Sequence, residues 1–151
     1  MLSPKPAQKT RCRQIAGEDL DALAGLLAGG FERTTRSYWT AGFRRMEALP
    51  AIEGMPRFGY MLDCYGTPVV ALLMISSMRG TRVFCNLSSW YVDPLFRSHS
   101  NLLVSMATKL AAVSYLNISP APATWRLIEA LGFTRYNDGR SAVIAALVPR
   151  S

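Results

Sequence analysis

The sequence predicts a mixed α/β fold, a mostly antiparallel sheet flanked by helices in the order β-α-α-β-β-β-α-β-α-β-β. Three observations predict it. Apolar runs between residues 57 and 92 are separated only by short glycine turns, the pattern of consecutive antiparallel strands. Segments before and after them repeat apolar residues at helical spacing. The later helical segments alternate with short strand-like runs, which layers strand–helix–strand units onto the antiparallel part.

Taken in order, residues 1–9 read as a loose tail and 10–151 as one domain, since single domains cluster at about 100–150 residues. "TRCRQIA" (Thr10–Ala16) alternates as a first strand. "EDLDALAGLLAGGF" places Leu20, Leu23 and Leu27 on one helical face, with Glu18, Asp19 and Asp21 in the first turn and Gly29-Gly30 at the end. A second helix is expected from Thr35 to Leu49, bounded by Pro50, and residues 50–57 form a connection. "RFGYMLDCY" and "PVVALLMISS" read as strands around a turn at Gly66-Thr67-Pro68. Arg79-Gly80 makes the next turn, and "TRVFCNLSSWYV" runs on to Val92. Pro94 lacks the ladder donor and ends that strand.

The helix after it carries Leu102, Met106, Leu110 and Val113 on its predicted apolar face, with Ser100 or Asn101 as N-cap. "YLNIS" (Tyr115–Ser119) is a short strand. Ser119-Pro120 or Ala121-Pro122 opens a helix that buries Trp125, Ile128 and Leu131 and stops at Gly132. "FTRY" and "SAVIAALV" bracket Asn137-Asp138-Gly139 as a hairpin.

Half the residues are hydrophobic and 18% are charged, which excludes a disordered chain. Dense apolar runs are far shorter than the ~20 residues that cross a bilayer, and no secretory h-region is read at the N-terminus, so a cytoplasmic protein without membrane contact is expected. Cys12, Cys64 and Cys85 are odd in number and widely spaced, the usage of buried reduced thiols rather than of a disulfide framework. With one histidine, His99, a histidine-pair metal site is excluded, and no metal is expected. The net charge of +7 favours anionic partners. No nucleic-acid motif accompanies it, so nucleic acid is not the expected partner.

The stretch "YVDPLFRSHSNLLVSMATK" (Tyr91–Lys109) is the most informative. It reads as a strand end, a tight connection with a single arginine, and a helix N-terminus, a layout suited to holding a phosphate. The connection from Asp93 to Asn101 contains no glycine, although close approach of a phosphate usually calls for one.

Here the chain resembles the GNAT superfamily of acyl-CoA N-acyltransferases over residues 10–148. "WYVDPLFR" (Trp90–Arg97) is similar to that family's fourth-strand ending, Val-x-Pro with Arg three residues on. "LIEALGF" (Leu127–Phe133) is similar to its Leu-Tyr-Glu-Lys-Leu-Gly-Phe helix ending. The resemblance implies that the fourth and fifth strands splay and that acetyl-CoA or another acyl-CoA is the co-substrate. Its pantetheine arm would lie along Tyr91 and Val92 and near Asn117 and Ser119. The pyrophosphate would sit on amides of Arg97, Ser98, His99, Ser100, Asn101 and Leu102. The oxyanion donor would be the amide of Val92 or Tyr91, near the fourth strand's bulge.

Several positions depart from the family pattern. The loop glycines are Ser100 and Leu102. The tyrosine that protonates the leaving thiolate aligns with Ile128, leaving Tyr91, Tyr115 and Tyr136 as replacement hydroxyls, Tyr136 foremost. The fourth strand supplies Asn86, Ser88 and Ser89 where a glutamate base is frequent. The acceptor implied is an amine of a small molecule or peptide. It would be anionic if Arg33, Arg36, Arg44, Arg45, Arg135 and Arg140 face it. The oligomeric state, a homodimer included, stays open, as does a catalytically silent domain that binds CoA or another anion.

Overall fold

The computed structural model describes residues 9–118 and 125–134. The chain divides into two compact units, 1–119 and 120–151. In the first, the elements are β1 (Thr10–Gln14), α1 (Leu20–Gly30), α2 (Arg36–Ala48), β2 (Gly59–Cys64), β3 (Thr67–Arg79), β4 (Arg82–Val92), α3 (Ser100–Ala107) and β5 (Val113–Leu116). The second contains α4 (Trp125–Ala130). The predicted hairpin around Asn137-Asp138-Gly139 and the N-terminal tail lie outside the described residues.

The five strands form one sheet in sequence order; β1 to β4 pair antiparallel and β5 joins β4 in parallel. Val69 to Met74 of β3 are all buried, because both faces of this central strand are covered. On one face Met61, Ala71 and Leu73 pack with Leu23, Ala24 and Leu27 of α1 and with Trp39, Phe43 and Met46 of α2. The expected helical spacing of α1 thus becomes its buried stripe. Each such side chain contributes roughly 1.5–3 kcal/mol on burial. The opposite face is covered by α3, which packs on β2 and β3.

Helix α2 begins where the sequence places it: Thr35 is the N-cap, and its hydroxyl accepts the Tyr38 amide at 3.1 Å. In the second unit, Gly132 at φ +97° closes α4, with its own amide donating to Glu129 O and the Phe133 amide to Ile128 O. That pair of bonds is the glycine-closed helix end expected at this position.

Three expectations are corrected. The β2–β3 turn lies at Tyr65-Gly66, both at positive φ (52° and 85°), rather than at Gly66-Thr67-Pro68, because β3 already starts at Thr67. The next turn shifts by one residue to Gly80-Thr81. The apolar face of α3 is Ser100, Leu103, Val104 and Ala107, whereas Leu102 is 54% exposed. The helix also stops at Ala107, with the Thr108 hydroxyl donating to Val104 O, so Leu110 lies beyond it and Val113 opens β5. The spacing 100-103-104-107 is as helical as 102-106-110-113. Tertiary cover, not periodicity, decides between them.

Asp19 was expected among the acids in the first turn of α1, and it lies just before that helix. It is buried, gripped by Arg13 through Nη1–Oδ2 (2.6 Å) and Nη2–Oδ1 (2.7 Å), and it accepts the Ala16 amide. Arg13 Nε also donates to Asp63, itself 3% exposed, at 2.8 Å. This pairing ties β1, β2 and the start of α1 together, and bidentate geometry is what makes a buried pair tolerable.

Candidate functional site

β4 is paired with β3 along its whole length, but with β5 only from Val83 to Asn86. From Leu87 to Val92 its outer edge has no ladder partner among the described residues, which leaves a gap past the end of β5 at Leu116. The β3–β4 register shifts between Leu73–Ser89 and Met74–Leu87, which makes Ser88 the extra residue of a β-bulge at the closed end of that gap. At the same end, Asn86 Oδ1 accepts the amide of Ile118 at 3.4 Å, so a side chain carries one more cross-strand bond past the last backbone pair.

The direction of each backbone group on β4 follows from one bond. The Asp93 amide donates to Val69 O at 3.0 Å. Backbone groups alternate sides along a strand, so Asp93 and Tyr91 point at β3 while Trp90 and Val92 point into the gap. Of the two amides expected as oxyanion donors, only that of Val92 faces the gap. Trp90, passed over in the sequence for this purpose, shares its orientation. The bulge that would have found Trp90 leaves no trace in composition.

The side chains divide in the same way. Tyr91 turns towards α1, where its ring lies 6.3 Å from that of Phe31. The ring sits so close to Gly30 that a Cβ there would fall inside it. Trp90 takes the opposite face, and its indole Nε1 is buried with no hydrogen-bond partner among the described residues.

Beyond Val92, the Asp93 carboxylate accepts the Leu95 amide at 2.9 Å and Pro94–His99 wind as 3₁₀ turns running into α3. The expected cap is therefore corrected: Ser100 is the first residue of α3, not its N-cap. Its hydroxyl, buried, donates to Arg97 O at 2.8 Å, and its amide also bonds Arg97 O. Asn101 and Leu102 remain in the first turn, whose amides have no i−4 acceptor inside the helix. Leu102 projects outward and Arg97, Ser98 and Asn101 are exposed. His99 Nδ1 lies 3.2 Å from the Ser98 hydroxyl.

Asn117 follows β5 and is half-buried, while Ser119 and Tyr136 lie outside the described residues. Tyr115 pairs with Cys85 in the closed part of the ladder, and its hydroxyl accepts the Leu110 amide at 3.3 Å. Burial raises its pKa, so it stays a phenol at neutral pH. Burial likewise raises the thiols of Cys12 and Cys85, and all three cysteines are free. Among the described residues no group of His, Cys, Asp and Glu is arranged to hold a metal ion. None of the described helices is long and apolar enough to cross a membrane.

Solved structures share this overall fold. The aminoglycoside N-acetyltransferase AAC(6')-Iy, in complex with CoA, superposes with a TM-score of 0.67 at 12% identity, over 95% of this chain and 99% of that one. The fold is the GNAT fold. A GCN5-related N-acetyltransferase from Ralstonia eutropha JMP134 matches with a TM-score of 0.59 and 16% identity, over 91% of this chain and 99% of its own. A transcriptional regulator from Bacillus halodurans C-125 matches at 0.67 and 14%, over 90% and 100%. No family model matches the sequence and no curated protein is significantly similar to it.

Beyond Asn86 the outer edge of β4 therefore offers backbone donors and acceptors that β5 does not take up. The first-turn amides of α3 and the exposed Arg97 follow the end of that strand.

Proposed function

We propose that this chain is an acyl-CoA-dependent N-acyltransferase that moves an acetyl or longer acyl group to an amine of a small-molecule or peptide acceptor. The observation that carries it is the open edge of β4, with the backbone groups of Trp90 and Val92 directed into the gap beside the bulge. The GNAT fold and the CoA complex of AAC(6')-Iy support it.

In this reading Val92 binds and polarises the thioester carbonyl. The amine lone pair attacks the carbonyl carbon, a C–N bond forms, and the oxyanion is held by the Val92 amide. Collapse breaks the C–S bond, the amine's surplus proton passes to solvent, and the thiolate is protonated as it leaves. Tyr136 is the proposed source of that proton, since Ile128 cannot supply one, Tyr115 lies in the closed part of the ladder and Tyr91 is turned towards Phe31 and Gly30. Much of the acceleration comes from holding amine and thioester together, worth about 7–11 kcal/mol in well-oriented systems.

On the acceptor side, a groove of mixed lining between α2 and β3 is bounded by Met46, Leu49, Ile52, Met55, Arg57 and Ile75, and Ile75 pairs with Asn86 of β4. Arg44 and Arg45 on α2 are exposed, whereas Arg36 is engaged by Asp21 at 2.9 Å. An acceptor with an apolar body and a negative charge fits these groups. The test is thiol release from acetyl-CoA and a medium-chain acyl-CoA over a panel of amines, including aminoglycosides and peptides.

A silent CoA- or anion-binding domain is the second reading. β4 brings Asn86, Ser88 and Ser89 to the gap but no carboxylate, and the Ser100 hydroxyl is spent on Arg97 O. CoA binding without thiol release from any amine would favour it.

A further inference from the structure

We propose that the outer edge of β3 from Ile75 to Arg79 is a docking site for an acidic peptide in extended form, which adds to the sheet as a further strand. The inference does not depend on the acyl-CoA reading. β2 pairs with β3 only as far as Gly59↔Leu73, and the last backbone bond on that side runs from the Met74 amide to Phe58 O at 2.8 Å. β3 continues past it to Arg79, flanked there by β4 alone. Backbone groups alternate sides along a strand, so Ser76 and Met78 point outward as Met74 does, while Ile75, Ser77 and Arg79 bond to β4. Among the described residues, no backbone group from outside the β3–β4 ladder bonds to Ser76 or Met78.

The chain before β2 does not fill this place. Residues 50–57 lead back to α2, held by the Arg57 guanidinium on Leu49 O, and Ile52 and Met55 stand across an open groove from Ile75 and Ser76. Edge strands are usually blunted by proline, lysine or a bulge. From Ile75 to Arg79 there is none of these, and Ile75 and Met78 are exposed.

Charge decides the occupant. Arg79 and Arg82 stand opposite each other at the hairpin tip, with their guanidinium carbons 5.3 and 5.6 Å from the Phe84 ring centre. Like charges so placed repel, and among the described residues neither is in an ion pair with a carboxylate. From Thr67 to Val92 the sequence has no acidic residue at all. A second copy of this chain laid edge to edge would therefore bring more arginine and no acid. A strand with carboxylates on the face of Arg79 and apolar side chains on the face of Met78 supplies the missing partners. Strand periodicity makes that an alternation of acidic and apolar residues.

The test is fluorescence anisotropy of a labelled peptide of alternating glutamate and valine, titrated with the full chain, beside the same peptide with lysine for glutamate. The acidic peptide should bind at least tenfold more tightly than the basic one. Met78→Pro removes an outward N–H and no β4 bond, so it should weaken binding about tenfold with an unchanged melting temperature. Arg79→Glu leaves the backbone intact and should reverse the preference in favour of the lysine peptide. No binding of the acidic peptide by the wild type, equal binding of both peptides, or undiminished binding by both variants overturns the proposal. A dimer of the chain alone in sedimentation equilibrium, dissolved by Met78→Pro, would give the edge to a second copy and overturn it as well.

Discussion

The carbonyl of Val69 accepts a 3.0 Å hydrogen bond from the amide of Asp93, and this last rung of the β3–β4 ladder sets the orientation of every backbone group between the bulge and the strand end. With Asp93 turned to β3, Val92 must turn away from it. The open edge between β4 and β5 therefore has a defined pattern of donors, not only a shape.

The corrected face of α3 gives a direct stability prediction. Leu103→Ala should cost about 2–5 kcal/mol, because its side chain is fully buried. Leu102→Ala should change stability by less than about 0.5 kcal/mol. Denaturant unfolding of the two variants checks this, and the reverse order would restore the face read from periodicity.

Gly30 and Tyr91 are expected to be coupled. Gly30→Ala places a methyl in the Tyr91 ring and should destabilise by about 1–3 kcal/mol. In the Tyr91→Ala background the same change should cost far less. Additive effects in the double-mutant cycle would mean the ring and the glycine do not meet.

Acid sensitivity follows from Asp19 and Asp63. The Arg13 hydrogen bonds hold the Asp19 carboxyl below its ordinary value, more than offsetting burial. Burial pushes Asp63 up, but Arg13, the Gly66 amide and Arg11 together pull it below its ordinary value. Both folded pKa values are thus depressed. Their stabilisation is present above the unfolded value near 3.8 and is lost as pH falls through the folded values. Melting temperature should drop from about pH 5 to pH 2. Asp19→Asn should lower stability by about 3 kcal/mol at neutral pH and flatten that drop. An unflattened profile would assign acid sensitivity to other groups.

Much of the fold was legible in the sequence because glycine and proline punctuate it. Thr35 and Gly132 mark helix ends by mechanisms that act within a few residues. The strand run from Gly59 to Val92 is separated by turns one residue away from their expected places. What was not legible depends on contacts distant in sequence. The α3 face was misread because Leu102 and Leu103 are equally apolar, and only β2 and β3 choose between them. Asp19 looked like a helix-opening acid, and only the fold brings it to Arg13 of β1, which also holds Asp63 of β2. At the site, the proline and arginine after Val92 were readable. The bulge at Ser88 and the unpaired indole of Trp90 arise only when β3 and β4 are set in register.

The central claim is that the gap-facing amide of Val92 engages an acyl thioester. The most direct measurement is calorimetric titration of acetyl-CoA, with parallel thiol-release kinetics, on wild type and Val92→Pro. Proline removes that N–H without removing a β3 ladder bond, so the fold should persist. The account predicts micromolar binding by the wild type, weaker binding by the variant, and turnover reduced about 10²–10³-fold. Equal binding and equal turnover in a folded Val92→Pro would contradict it.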